Sequence, residues 1–428
     1  MQKKIIFIVL SLMACQYINA QFLMDMVDTS TTIGKGMLGI YKKFDGVRIS
    51  GYMQPQWQIT STEGSKNYSG GDFAPHSNNR FMLRRGRIRF DYIHFPEAKG
   101  PSVQFVFQFD GTERGVFIRD FWGRIFENKY KLFAFTAGMF ARPFSYELNL
   151  SSSDRESPER GRMSQILMKT ERDMGVMVSF EPRAKEHPLQ WLKLDAGIFN
   201  GQGLSSTADY DSHKDIISRL AVKPVSISKN LLFSGAVSYL NGGMLQNDKY
   251  VYHTTGKMVT VDSSVENEGK IAPRKYYGAD AQLKIKTHAG FTELRAEMIA
   301  GIQTGTRINS ETPPALQSGN DGHYIRHFNG AYFYLLHNII NAHHQLIIKY
   351  DWYDPNTAVQ KNEITTASNF TSADIKFSTL GFGYCYYINP STKLVLWYDR
   401  INNENTALSG FTKDVKDDVF TARLQFRF

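Results

Sequence analysis

The chain has 428 residues, with 50 Lys and Arg against 41 Asp and Glu, and a net charge of +9 at neutral pH. Beyond its first 20 residues, no segment approaches the roughly 18 consecutive apolar residues that a membrane-spanning helix needs, which excludes a helical membrane protein. The positive excess fits small acidic partners, and we expect no nucleic-acid partner.

The first 20 residues have the pattern of an export signal. Two lysines precede an apolar run at 5–14, and Ala20 ends the segment where cleavage is expected. Removal of this segment leaves 48 basic and 41 acidic residues, a net charge of +7. An alternative is lipidation at Cys15, although Met13 fits such a cleavage site poorly. Without the signal, Cys385 is the single cysteine, so an intramolecular disulfide is excluded.

Alternation of apolar and polar residues predicts membrane-spanning strands from residue 46 onward, after a short periplasmic segment at 21–45. Odd positions of the stretch 47–60 are apolar or small, and even positions are polar or carry a hydroxyl. The stretch 420–428 repeats this pattern and ends on Phe428. Strands of soluble proteins usually stop near about six residues. Longer alternation favours strands with one face towards lipid and one towards a polar lumen.

The connections between these stretches alternate between short and long, as expected for periplasmic turns and outer loops. Strands placed between them number about 16, an even count that lets an antiparallel barrel close with both termini in the periplasm. Closure is required because no backbone donor or acceptor stays unpaired in hydrocarbon. We therefore predict an all-β fold, a transmembrane antiparallel β-barrel of residues 46–428 in the lipid of the bacterial outer membrane.

An arginine face follows Asn79. Arg85, Arg87, Arg89 and Asp91 alternate with apolar residues and glycine. Arginine facing lipid at mid-membrane depth costs roughly 2 to 4 kcal/mol, so this face is assigned to the lumen. Arginine suits oxyanions because its planar fork holds two oxygens and is weakly hydrated. The alternative is a ladder of charges in which nearby acids partner the arginines and only solvate the wall.

Five motifs follow one another in the first half of the chain: Arg84–Phe90, Gly138–Ser145, Leu150–Arg160, Glu171–Val176 and Ala196–Gly203. Together they resemble the phosphate-selective porin family, porins O and P. The resemblance extends from Val47 to the C-terminus. It implies a 16-stranded homotrimeric porin that passes small anions, with its third outer loop folded into the lumen as a constriction. A preference for phosphate or polyphosphate is implied by the resemblance alone.

Further basic residues are candidates for the pore lining. Three arginines lie in the stretch 151–162, where the constriction loop is expected, and their acidic neighbours are expected to hold that loop by salt bridges. Arg142 is expected at the edge of the constriction. Three lysines on polar faces of later strands are candidates to guide anions as point charges, with the alternative that most of them are only solvated. The predicted pore-lining set is Arg85, Arg87, Arg89, Arg142, Arg155, Arg160, Arg162, Lys284, Lys286 and Lys349.

Enzyme motifs are weak in this sequence. His343 and His344 lie in a predicted short turn, where successive side chains do not converge on a metal, and no Gly-x-Ser-x-Gly elbow occurs. We predict no catalytic residue, metal site or cofactor. Two alternatives to a passive anion channel remain: a barrel enzyme such as a lipid hydrolase, which needs a lipid-facing Ser/His pair, and a structural or receptor barrel whose long loops bind partners.

Overall fold

A computed structural model describes residues 46–96, 100–204, 209, 211–312 and 322–428. The expected export signal at 1–20 and the expected periplasmic segment at 21–45 lie outside the described residues. Among the described residues, no helix is long and apolar enough to cross a membrane.

The described residues form one closed sheet. In chain order its strands are β1 Val47–Thr60, β2 Asn79–His94, β3 Val103–Thr112, β4 Gly115–Phe126, β5 Phe133–Ala141, β6 Arg172–Phe180, β7 Leu192–Phe199, β8 Asp215–Ser228, β9 Leu231–Leu245, β10 Val251–Thr255, β11 Met258–Asp262, β12 Ile271–Thr287, β13 Gly290–Gly305, β14 His323–Ile339, β15 His344–Asp354, β16 Phe377–Asn389, β17 Thr392–Asn403 and β18 Val419–Arg427. Strands β10 and β11 form a hairpin in the loop between β9 and β12. The other sixteen form the wall, in which each strand pairs antiparallel with the next and β18 pairs with β1. This confirms the predicted antiparallel barrel of about 16 strands.

Side chains alternate across the wall as the sequence predicts. In β1, Ile49 and Met53 are 58% and 43% exposed on the outer surface, whereas Gln54, Gln56 and Gln58 are buried inside. Apolar residues face outwards because the surrounding hydrocarbon cannot hydrogen-bond, and glutamines face inwards, where polar partners and water are available. This distribution places the barrel in the bacterial outer membrane.

A β-bulge between β1 and β2 turns two successive arginines inwards. Met53 pairs with Gly86 and Pro55 pairs with Leu83, so Arg84 and Arg85 together stand opposite the one intervening residue of β1. Proline cannot donate to the ladder, and a bulge is one of the few places where a paired strand tolerates it. The bulge therefore adds Arg84 to the lumen face that already carries Arg85.

The loop between β5 and β6, residues 142–171, folds into the lumen, as predicted. It contains the short helices α1, Tyr146–Asn149, and α2, Arg162–Leu167. Its Phe144 and Leu167 are fully buried in an apolar core that also contains wall residues such as Trp397. The loop thereby fills one side of the barrel and leaves polar space on the other.

The outer loops also pack against one another. A smaller apolar core joins the loop after β15 to the loop after β17 and comprises Val359, Ile364, Phe370, Ile375 and Leu408. The outer loops also contain 3-10 helices. Val265–Asn267 lies between β11 and β12, and Lys361–Glu363 and Ser372–Asp374 lie between β15 and β16. Part of the outer mouth is therefore covered by ordered structure.

Candidate functional site

Two cavities lie beside the inward-folded loop. The outer one, about 1670 Å³, is lined by outer loops and the upper ends of β2 to β4. The inner one, about 400 Å³, reaches Arg427 and Lys193 near the periplasmic rim. Arg87 and Glu171 line both cavities. The two cavities therefore meet at these two residues, and we call this junction the narrow point.

The arginine face of β2 runs along this pathway. Arg85 lines the outer cavity, Arg87 lines both, and Arg89 lines the inner one. Each has an acidic partner: Arg85 lies 2.7 Å from Glu159, Arg87 lies 3.1 Å from Asp110, and Arg89 lies 2.6 Å from Asp91. The structure places this face in the lumen. Its arginines are paired, as the alternative of a charge ladder expects, yet they still line open space.

Arginines from other elements face this row. Arg119 of β4 and Arg160 of the loop lie 2.5 and 2.8 Å from the Glu171 carboxylate. Arg172, at the start of β6, lies 3.6 Å from Glu171 and 3.2 Å from Asp120. Guanidinium groups therefore surround the narrow point from the wall and from the loop.

Arg119 was not predicted from the sequence, because a second bulge changes the register of β4. Gln108 of β3 pairs with Asp120, while Phe109 pairs with Ile118. Arg119 and Asp120 consequently both make lumen contacts, although they are neighbours in sequence. A strict period of two assigns them to opposite faces, and no local signal marks the break.

Arg155 differs from the other arginines of the loop. It lines the inner cavity and is 4% exposed. Its Nε and Nη1 atoms have no hydrogen-bond partner among the described residues, whereas its backbone carbonyl accepts a hydrogen bond from Lys393. Buried N–H groups without a partner carry a desolvation cost of about 1 to 3 kcal/mol, more for charged groups. Of the loop arginines that line a cavity, Arg155 therefore has the most N–H groups left to pair with an incoming acceptor.

Glu159 attaches the loop to the wall. Its carboxylate lies 2.9 Å from Arg84, 2.7 Å from Arg85 and 2.9 Å from Arg423. Burial by itself raises the pKa of Glu159, but these three guanidinium groups together hold that pKa well below its usual range. A second attachment joins Glu156 to Arg295. The acids of the stretch 151–162 thus make the predicted salt bridges.

A buried charge cluster lies at the base of the loop, and its residues come from the motifs Gly138–Ser145, Glu171–Val176 and Ala196–Gly203. Arg142 is 2% exposed, donates to the Thr170 carbonyl and has Nη1 3.9 Å from Asp173. The backbone N–H of Gly201 donates to Asp173 at 2.7 Å. Arg142 is therefore not at the edge of the constriction, where it was expected. Because β5 and β6 pair up to their outer ends, its side chain reaches the start of β6 and not the lumen.

Glycine within the same motif also has a structural reason. Gly138 has φ of +121°, and a Cβ there would lie 2.5 Å from the backbone oxygen of Phe121. Glycine populates such a backbone conformation freely, whereas other residues do not. The close approach of β4 and β5 thus explains the glycine at position 138, and this glycine gives no information about the anion.

The remaining predicted residues lie away from the narrow point. Lys349 is 4% exposed and lies 2.8 Å from Asp351. Lys284 lies 3.7 Å from Glu293, and Lys286 is exposed immediately before the turn that follows β12. The loop covers the first lysine, and the other two lie at the periplasmic end of the barrel.

Arg162 lines the outer cavity. Its guanidinium lies 3.6 Å from the ring centroid of Phe377 and 4.8 Å from that of Tyr68. Both distances are within the range of cation–π attraction. Arg162 therefore attaches the loop to Tyr68 of an outer loop and to Phe377 at the outer end of β16, and it remains beside the cavity.

No protein-family model matches this sequence, and no curated protein matches it. Solved structures do match in fold. OprB of Pseudomonas putida superposes with a TM-score of 0.57 at 9% identity, covering 92% of this chain and 96% of that one. An anion-selective porin from Comamonas acidovorans gives 0.54 at 10% identity, with 89% and 99% covered.

The outer-membrane channel DcaP of Acinetobacter baumannii gives a TM-score of 0.53 at 14% identity, covering 89% of this chain and 97% of that chain. At identities this low, these superpositions establish a shared fold and nothing more. The barrel described above is thus one found among outer-membrane channels, over nearly the whole length of each.

Proposed function

We propose that the protein is an outer-membrane porin that passes small anions by passive diffusion. The observation that carries the proposal is the arrangement of arginines through the narrow point. Arg85, Arg87 and Arg89 descend one wall, and arginines of the loop, β4 and β6 face them. The shared fold with an anion-selective porin supports the same reading.

The charge balance of the lining favours anions. The outer cavity is lined by ten Lys and Arg side chains against eight Asp and Glu. The inner cavity is lined by seven against four. Guanidinium donors replace part of an anion's hydration shell, and low-dielectric walls strengthen their field. The relative excess grows inwards, so an anion that has passed the narrow point still meets a positive surface.

Phosphate and polyphosphate are our proposed solutes within this class. Support comes from the family resemblance and from Arg155, which has N–H groups without a partner among the described residues and lines the inner cavity together with the serine stretch 151–153. Guanidinium and hydroxyl donors together suit an oxygen-rich acceptor better than a halide.

Ion recording in planar lipid bilayers tests this function. In a potassium chloride gradient we expect a reversal potential that reports chloride passing faster than potassium. Absence of conductance would contradict a porin and favour the enzyme or receptor alternatives. Cation preference would contradict the arginine assignment. If phosphate blocks the chloride current no better than other anions do, phosphate selectivity fails while the porin stands.

We also propose a homotrimer. Strands β3 to β7 have 8 to 12 residues, whereas β12 to β14 have 16 or 17, so the wall is lowest on the β3–β7 side. Phenylalanines cluster on the outer face there: the rings of Phe107 and Phe121 lie 4.9 Å apart, and Phe105 and Phe121 are 55% and 61% exposed. A low wall rich in aromatic rings suits contact with other copies. Native mass measurement in detergent should give three chains; a monomer at all concentrations would contradict this.

A further inference from the structure

One carboxylate lies in the centre of the arginine cluster. Glu171 lines both cavities, and its side chain is 11% exposed. Its Oε1 lies 2.8 Å from Arg160 Nη2, and its Oε2 lies 2.5 Å from Arg119 Nη2 and 3.6 Å from Arg172 Nη1. An anion that crosses between the cavities at this junction passes beside this carboxylate.

The cluster has more donors than Glu171 uses. Arg119 Nε and Arg160 Nη1 are buried and have no hydrogen-bond partner among the described residues. Arg119 and Arg160 belong to different elements and converge on one carboxylate. Convergent guanidinium groups with spare N–H donors have the chemistry of an oxyanion site.

We propose that Arg119, Arg160 and Arg172 form a binding site for dianionic oxyanions, and that Glu171 is its tethered occupant, displaced when a solute anion passes. The proposal rests on the anion-channel function proposed above. Because Glu171 borders both cavities, it has open space on either side into which its carboxylate moves when displaced.

The tether determines which anions compete well. A group attached to the site by a short chain acts at a high effective concentration, on the order of millimolar or more. A monoanion has the same charge as the carboxylate it must displace, whereas a dianion has twice the Coulomb attraction to the same guanidinium groups. A dianion therefore displaces Glu171 more readily than a monoanion does. The displaced carboxylate stays beside the site and repels a dianion twice as strongly as a monoanion, so it speeds release, and its removal should strengthen dianion binding more than monoanion binding.

The test measures block of chloride current by sulfate, with methanesulfonate as a monoanion of similar shape. In Glu171→Gln we expect the half-blocking sulfate concentration to fall about tenfold, a difference of about 1.4 kcal/mol, with a smaller fall for methanesulfonate. Glu113→Gln is the matched control, because it removes one charge from an exposed residue of the outer cavity. We expect that variant to leave sulfate block nearly unchanged.

A double-mutant cycle separates a local site from a general change of field. In the Arg119→Gln background, Glu171→Gln should give little or no gain in sulfate block, whereas an independent field effect would give the same gain as in the wild type. Equal gains in Glu171→Gln and Glu113→Gln would overturn the inference, as would simple additivity.

The wild type keeps the two proposals distinguishable. An anion-selective wild type whose sulfate block does not change in Glu171→Gln refutes the tethered carboxylate and leaves the channel function standing. A cation-selective or non-conducting wild type refutes the channel function itself. If Glu171→Gln does not fold, judged by heat-dependent gel migration, Glu171→Asp takes its place. Its shorter side chain should also lower the half-blocking concentration, and an unchanged value would overturn the inference.

Discussion

The two sides of the lumen are built on the same alternating pattern but are filled differently. On the side of β1 to β6, inward positions carry arginines and acids that line open cavities. On the side of β12 to β17, inward positions include Tyr276, Phe328, Ile347 and Trp397, which pack against the loop as an apolar core. The loop thus acts as core partner for one wall and as charged lining for the other. Apolar packing against β12 to β17 fixes the position of the loop, and the charged side chains on its other side line the cavities.

Removal of the loop's main anchor should have the largest effect. Glu159→Ala leaves Arg84, Arg85 and Arg423 without their shared carboxylate. Breaking a buried ion pair by removing one partner costs about 3 to 5 kcal/mol. We expect looser attachment of the loop, seen as higher conductance and faster proteolysis within it. Asp154→Ala is the control, since its pair with Arg427 is about half exposed and surface pairs contribute little.

Overpacking the apolar side should destabilise the barrel without changing its selectivity. A Cβ at Gly383 would lie 2.3 Å from the Trp397 ring, which is 1% exposed. Overpacking of this kind costs about 1 to 3 kcal/mol. For Gly383→Ala we expect a lower unfolding temperature and an unchanged reversal potential. A changed reversal potential would contradict the separation between the two sides.

Neutralising loop arginines should change selectivity without destabilising the apolar side. In Arg155→Ala with Arg160→Ala, two positive charges leave the lining on either side of the narrow point. One charge at about 4 Å contributes about 1 kcal/mol in water, so we expect the preference for chloride over potassium to fall severalfold. Lys257→Ala, on the exposed outer hairpin between β10 and β11, is the control. Unchanged reversal potentials in the double variant would remove the loop from the selectivity mechanism.

Mild acid should have the smallest effect. A carboxylate whose pKa is lowered on folding stabilises the fold at any pH above its unfolded pKa, and this contribution is lost as the pH falls through the lower folded value. The pKa of a glutamate in an unfolded chain is about 4.3. In the folded protein, the pKa of Glu159 lies well below this value. We therefore expect the contribution of Glu159 to conductance and loop proteolysis, measured as the difference between the wild type and Glu159→Gln, to stay constant from pH 7 to pH 5 and to change only in stronger acid. A transition between pH 5 and 7 that is present in the wild type and absent from Glu159→Gln would contradict the assigned anchor.

The sequence predicted the features that depend on a repeating local pattern. Alternation in 47–60 and 420–428 predicted a barrel, because a strand between lipid and a polar lumen needs a period of two. The same period placed Arg85, Arg87 and Arg89 together, and the structure puts that face in the lumen. The motif at 138–145 indicated where the inward-folded loop begins. Its Arg142, however, holds the base of that loop in place and does not line the constriction.

The tertiary structure decided what depends on contacts between distant residues. Bulges brought Arg84 and Arg119 into the lumen, and a bulge is defined by the pairing of two strands, which neither strand's sequence states alone. Arg142 was drawn to Asp173 by strand pairing, and Glu171 reached the centre of the cluster because the loop packs on the far wall. The barrel follows from local alternation, whereas the constriction follows from register and packing, which are properties of the whole fold.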